Sequence, residues 1–247
     1  MTEAIYHDDA YVKGFEARVL DASEEGVRLD RTAFFPGGGG QPHDTGALRW
    51  EGGSARVTAI KRGPDGPIHV LDGEARPPAG AAVQGEVDWE RRHALMRAHT
   101  ALHILCGVIW RDYGAAVTGG SMDVGQARMD FELERMSADF ASEVEAKVNA
   151  EIAAARPVQA RVLPREEAFR IPDLIRTKIN LLPPQIQEVR IVEIVGLDLQ
   201  ADGGTHVANT RHVGFVRVVG HESKGRINKR LRIAIEDPAG PTPKQSD

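Results

Sequence analysis

The sequence predicts an α+β protein, a small N-terminal β-barrel followed by a domain of strands and few helices around a buried central helix. Three observations carry this prediction. Short apolar–polar alternations punctuated by Gly and Pro turns fill residues 11–89. A proline-free stretch with helical apolar spacing then occupies residues 90–113. Beyond it, strand-like segments mix with few helices and show no regular βαβ alternation. The division read from this texture is 1–88 for the barrel-like domain, 89–236 for the second domain and 237–247 for a loose tail.

In the first domain, Phe15, Ala17 and Val19 alternate with charged neighbours, as do Val27 and Leu29. Further runs follow at Ala55–Ile60, Ile68–Leu71 and Ala82–Val87, set apart by Gly-Pro, Pro-Asp-Gly and Pro-Pro-Ala-Gly turns. In the helix that follows, Leu95, Leu102, Leu105 and Ile109 mark one side and Met96, Ile104 and Val108 others. A helix apolar all round belongs in a core. A strand is expected at Arg128–Glu134. Ser137 then fits the N-cap of a helix whose stripe is Phe140, Val144, Val148 and Ile152, ending before Pro157. Strands at Val158–Leu163, Val189–Val195, Val213–Val219 and Lys229–Ile235 complete the pattern, with a short helix near Arg165–Ile171.

Composition excludes several classes. With 247 residues and 41% hydrophobic content the chain can bury a sizeable core without staples. One cysteine, Cys106, excludes a disulfide scaffold or a Cys-rich zinc finger and fits a reducing cytoplasm. MTEAIYHDDAYVKG carries no apolar signal region, and Ala101–Trp110 is too short to span a bilayer, so no membrane role is expected. The formal charge is −5, yet residues 211–235 hold seven Arg and Lys against Glu222 alone. Such a segment fits a solvated face or a contact with a polyanion. At 5% aromatic residues, a base-stacking RNA module has little support.

Two residue pairs carry candidate chemistry. His99 and His103 stand four apart on one helix face, a geometry suited to two metal ligands. Asp202 and His206 flank Gly203-Gly204, which allow a tight positive-φ turn that aims both side chains at one point. Together they form a His, His, Asp, His set fit for zinc or another borderline divalent ion. The competing readings are hydrogen-bonded core histidines and an ordinary Asp-Gly turn. Cys106 reads as a buried inert thiol. The run Phe34-Phe35-Pro36-Gly37-Gly38-Gly39-Gly40-Gln41-Pro42 lacks a phosphate-loop ending and the third glycine of a dinucleotide fingerprint, so no nucleotide cofactor is expected.

In order, FFPGGGGQPHDTG, VDWERRHALMRAHTALHIL, TGGSMDVGQARMDFEL, GLDLQADGGTHVANT and ESKGRINKRLRI resemble the AlaX-type alanyl-tRNA editing proteins, free-standing relatives of the alanyl-tRNA synthetase editing domain. The likeness runs from about Phe34 to Ile235, and the added N-terminal barrel resembles the medium-length subtype. It implies a two-layer α/β editing domain with a mainly antiparallel sheet. It also implies one divalent metal, Zn²⁺ first among the choices, at His99, His103, Asp202 and His206. Asp202 stands where the family usually has cysteine, and carboxylate oxygen is compatible with zinc. The implied reaction is hydrolysis of Ser-tRNA(Ala), with Gly-tRNA(Ala) a further substrate. Gln41 and Thr100 are assigned to substrate positioning, Gly38, Gly39 and Gly40 to substrate binding, and Lys224, Arg226, Lys229 and Arg230 to tRNA phosphates. The alternatives are a metal-dependent hydrolase of another ester or amide, and a non-catalytic tRNA-binding protein. Oligomeric state is left open.

Overall fold

The computed structural model describes residues 2–178 and 182–237. Apart from Asp237, the tail expected at 237–247 lies outside the described residues. The chain divides into two compact units, Met1–Leu95 and Met96–Asp247.

The first unit opens with a two-residue strand, β1 (Glu3–Ala4), and a single helical turn, α1 (Ile5–Asp8). Then come β2 (Gly14–Ser23), β3 (Gly26–Leu29), β4 (Arg31–Thr32), β5 (Gly46–Trp50), β6 (Gly53–Gly63), β7 (Gly66–Leu71) and β8 (Ala82–Val87). Six of these close an antiparallel barrel in the order β2-β3-β7-β6-β5-β8, and β1 pairs in parallel with β4 outside it. The alternation in the sequence is the barrel's inside–outside pattern: Ala17, Val19, Val27, Leu29, Leu48, Val57, Ile60, Leu71, Val83 and Val87 fill the core around Phe34. Closure leaves no open edge along the barrel.

The helix α2 (Trp89–Tyr113) follows, and the division between the units falls within it. Asp88 starts it, its carboxylate accepting the Arg91 N–H at 3.2 Å. Gly114 ends it at φ +61°, its N–H donating to Trp110 O at 3.0 Å. Leu95, Met96, Ala98, Ala101, Ile104, Leu105, Val108 and Ile109 are all buried, as expected of a helix apolar on every side. Among the described residues no helix is long and apolar enough to cross a membrane.

In the second unit, β9 (Val117–Asp123), β10 (Gln126–Glu132), α3 (Ala138–Ala153), β11 (Val158–Pro164), α4 (Arg165–Ala168), β12 (Glu188–Ile194) and β13 (Asp198–Ala201) come first. A 3₁₀ turn at Thr210–Val213 precedes β14 (Phe215–Ser223) and β15 (Asn228–Glu236). Ser137 caps α3 as expected, its hydroxyl accepting the Phe140 N–H at 3.1 Å. Among the described residues two antiparallel sheets result, β14-β15-β10-β9 and β11-β12-β13. Periodicity reports which face of a strand is buried, not which strand it pairs with, so this split is invisible in the pattern.

Candidate metal centre

Within the second unit, His99, His103, Asp202 and His206 converge, each offering a donor atom within 4.8 Å of the others. The α2 helix delivers His99 and His103 one turn apart, their rings 5.1 Å between centroids. Chain leaving β13 delivers the other two. The His206 ring stacks on His99 at 4.2 Å and meets His103 edge-on at 4.7 Å. Asp202 Oδ2 lies 2.9 Å from His206 Nε2, and its Oδ1 lies 3.5 Å from His99 Nε2.

The 202–206 turn is built differently from the expectation. Gly203 and Gly204 are not among the positive-φ glycines. The Gly204 N–H instead donates to Asp202 Oδ2 at 2.8 Å, an Asx turn that needs no left-handed residue. Arg190 on β12 braces it: its Nη1 donates to Asp202 O at 3.1 Å and Gly204 O at 2.9 Å. The Asp202 N–H returns a bond to Arg190 O at 3.1 Å.

The residues fit a divalent cation. Tetrahedral zinc with bonds of about 2.0–2.2 Å sets its ligands roughly 3.3–3.6 Å apart; the 3.5 Å separation falls in that range and the 2.9 Å one lies below it. The side chains of His99, His103 and His206 are 4%, 8% and 5% exposed. Burial holds His99 well below its ordinary pKa and takes His206 down to about 4 against the pull of Asp202. Burial opposes ionisation of Asp202, but the surrounding histidines outweigh it and hold the carboxyl well below its usual range. A carboxylate beside neutral imidazoles at His99 and His206 is the protonation state a metal requires of those three groups. At His103, burial is outweighed by the bond to Asp198 and the charges of Asp198 and Asp202, which raise its pKa.

Thr100 is fully buried. Its Oγ1 shares a 3.2 Å hydrogen bond with His206 Nδ1 and accepts the Val207 N–H at 3.2 Å. It therefore orients the His206 ring. Cys106 is buried, and burial raises its thiol pKa far from thiolate chemistry. Two neighbours escaped the sequence reading. Asp198 Oδ2 lies 2.8 Å from His103 Nδ1, and Arg190 makes the brace just described. The i, i+2, i+4 spacing of Asp198, Gln200 and Asp202 is the signal that marks the first, since such residues share one face of a strand.

The remaining candidates belong to other elements. Gly38, Gly39, Gly40 and Gln41 form one tight turn in the first unit, closed by Gly38 N–H to Gln41 O and Gln41 N–H to Gly38 O, both 2.9 Å. All four glycines of the run have positive φ, from +60° to +141°. Gly39 and Gly40 are exposed, while Gln41 is 3% exposed and no surface amide. Lys224, Arg226, Lys229 and Arg230 belong to the β14–β15 hairpin. Lys224 and Arg226 are exposed. Lys229 corrects the expectation: it is 5% exposed, and its ammonium donates to Gly225 O at 2.7 Å and Arg226 O at 2.9 Å, buttressing the hairpin loop. Arg230 is committed to Asp130 through bonds of 2.7 and 2.8 Å.

Two family models match, tRNA synthetases class II (A) over residues 4–91 and the threonyl and alanyl tRNA synthetase second additional domain over residues 189–232. The alanyl-tRNA editing protein AlaX-M of Saccharolobus solfataricus is 42% identical over 238 residues, 96% of this chain and 100% of the relative. That of Methanosarcina barkeri is 40% identical over 243 residues, again covering 100% of the relative. The alanine–tRNA ligase of Pyrobaculum neutrophilum is 36% identical over 225 residues, 88% of this chain but 25% of that longer protein. At that identity and coverage, the chain belongs to the AlaX-M family of alanyl-tRNA editing proteins.

Proposed function

We propose that this protein is a trans-editing hydrolase that clears wrong amino acids from tRNA(Ala), with serine the main target and glycine a second. The observation that carries the reading is the buried His99–His103–Asp202–His206 cluster in a chain similar over its full length to editing proteins. Zn²⁺ held by these four residues would supply Lewis acidity toward the ester carbonyl or an attacking water. Thr100 keeps the His206 ring in place, and the Asx turn with Arg190 keeps Asp202 aimed at the centre.

Selectivity is the physical problem. Serine exceeds alanine by one hydroxyl, which an apolar synthetase pocket rejects only about a hundredfold. A site that engages that hydroxyl spares Ala-tRNA(Ala), because alanine leaves its polar groups unpaired. Gln41 and the Gly38–Gly40 turn are the substrate-positioning elements in this reading. Of the four basic residues, Lys224 and Arg226 are exposed and are the candidates for phosphate contact, Lys224 with its ammonium 3.5 Å from Glu222 Oε2.

The test measures metal content and deacylation of Ser-, Gly- and Ala-tRNA(Ala) on one preparation, alongside His103→Ala. Serine release with alanine retained is expected, and the variant loses both metal and turnover. Alanine release as fast as serine release overturns editing; full activity after exhaustive chelation overturns the metal centre.

A further inference from the structure

Behind the ligand histidines lies a second buried layer. Asp198 stands at the start of β13 with its carboxylate wholly enclosed. Three groups meet it. His103 Nδ1 lies 2.8 Å from Oδ2, Gln200 Nε2 donates to the same oxygen at 2.9 Å, and Arg176 Nη1 donates to Oδ1 at 2.5 Å. Gln200 Nε2 also reaches Cys106 Sγ at 3.4 Å, which ties the layer back to α2. Enclosing an ionised carboxylate is costly unless a counter-charge and hydrogen bonds compensate, and Arg176 supplies the charge.

The helix is shaped to receive this group. Gly107 follows His103 by four residues, so it lies on the same face one turn on. A Cβ there would sit 2.8 Å from Leu197 Cγ, 3.1 Å from Leu197 O and 3.2 Å from Asp198 Cβ. Its absence is what lets the chain entering β13 approach α2 closely enough for the carboxylate to reach His103.

We infer that Asp198, charge-balanced by Arg176, is a positioning residue that locks His103 in the tautomer with its proton on Nδ1 and its Nε2 lone pair turned to the ligand cluster. An imidazole has two nitrogens, and the hydrogen bond made by one decides which lone pair is left for a cation. A carboxylate only accepts, so it selects Nδ1–H. The inference rests on the metal-centre reading, but the tautomer is set by the protein alone and exists before any ion binds.

Two measurements test it. Nitrogen-15 NMR of the metal-free wild-type protein at alkaline pH, where imidazole is neutral, reads the tautomer directly, with His103→Gln giving the assignment. Protonated Nδ1 is expected; a proton on Nε2 overturns the inference whether or not the protein binds zinc. Competition against a chromogenic chelator then gives the Zn²⁺ affinity of wild type and Asp198→Asn, with circular dichroism reporting the fold. Loss of such an outer partner weakens binding about 10–100-fold, and a folded variant whose affinity stays within about twofold of wild type overturns the proposal. Should Asp198→Asn fail to fold, the wild-type tautomer decides. Should wild type bind no zinc, the metal reading fails while the tautomer still judges Asp198.

Discussion

Replacing Asp44 by Asn is expected to destabilise the first unit more than most single changes to this protein. Asp44 and Arg92 have fully buried side chains and form an ion pair. Arg92 Nε lies 3.0 and 2.9 Å from the two carboxylate oxygens, and its Nη atoms donate to Ala10 O at 2.8 Å and Ala33 O at 2.5 Å. Asp44 Oδ2 also accepts the Phe35 N–H at 2.6 Å, and the Asp44 N–H donates to Phe35 O at 3.0 Å. The pair thus clasps both ends of the glycine-rich loop. Breaking a buried pair from one side costs about 3–5 kcal/mol, because the abandoned charge cannot reach water. For a unit of this size that corresponds to a fall in melting temperature of roughly 12–40 °C. Urea unfolding followed by circular dichroism measures the cost. Adding Arg92→Met in the Asp44→Asn background is expected to cost less than Arg92→Met alone, since the stranded charge disappears with it. A single-variant loss under about 1 kcal/mol, or strictly additive costs, refutes the reasoning.

Two further outcomes follow from the same unit. At Gly38, φ is +141° and an added Cβ would lie 2.2 Å from Arg62 Nη2, the atom that donates to Gly37 O at 2.7 Å. Gly38→Ala forces that bond or the backbone to yield, a strain of about 1–3 kcal/mol; kcat/KM for Ser-tRNA(Ala) is expected to fall severalfold or more at unchanged metal content, and an unaltered kcat/KM rejects the loop's role. His69 is fully buried, with Nδ1 2.9 Å from Val27 O and Nε2 2.9 Å from Thr32 Oγ1, and burial lowers its pKa from 6.5 to about 4. Between those values the unfolded chain binds a proton that the folded chain excludes, so stability is complete above about pH 6.5 and drains as pH falls toward 4. A loss of about 2–3 kcal/mol between about pH 7 and about pH 4.5 is expected from urea midpoints, and His69→Gln flattens that dependence; equal slopes in both proteins would contradict it.

Some of this was legible before any coordinates. The α2 helix was readable because an unbroken apolar periodicity without proline leaves a chain few other options. The α3 helix was readable because Ser137 announces its start. The convergence of His99, His103, Asp202 and His206 was readable because few other residues demand such company when buried. What escaped depends on partners distant in sequence. The β9 strand contains Gly119 and Gly120, and β13 is only four residues long, so neither presents a clear alternation. The charge run after residue 210 looked like one basic face, yet Asp130 lies directly across from Arg230 in the β10–β15 register, and Glu222 binds Arg232 at 2.7 Å. A stretch of sequence shows its own charges but not those folded against them. The glycine pair in the 202–206 turn misled for a related reason, since a side-chain oxygen two residues away did the work assigned to backbone freedom.

The brace from Arg190 to the two carbonyls of that turn bears on how the proposed centre would meet an ion. Because the curvature between Asp202 and His206 is secured by a guanidinium and an amide, the side chains of the proposed centre would wait in formation rather than be gathered by a cation. Binding energy then goes into grip instead of into ordering chain, unlike small metal-nucleated domains that collapse only when loaded. Under the metal reading such a cage would outlast its occupant, so that stripping and refilling would amount to an exchange of contents within a standing frame.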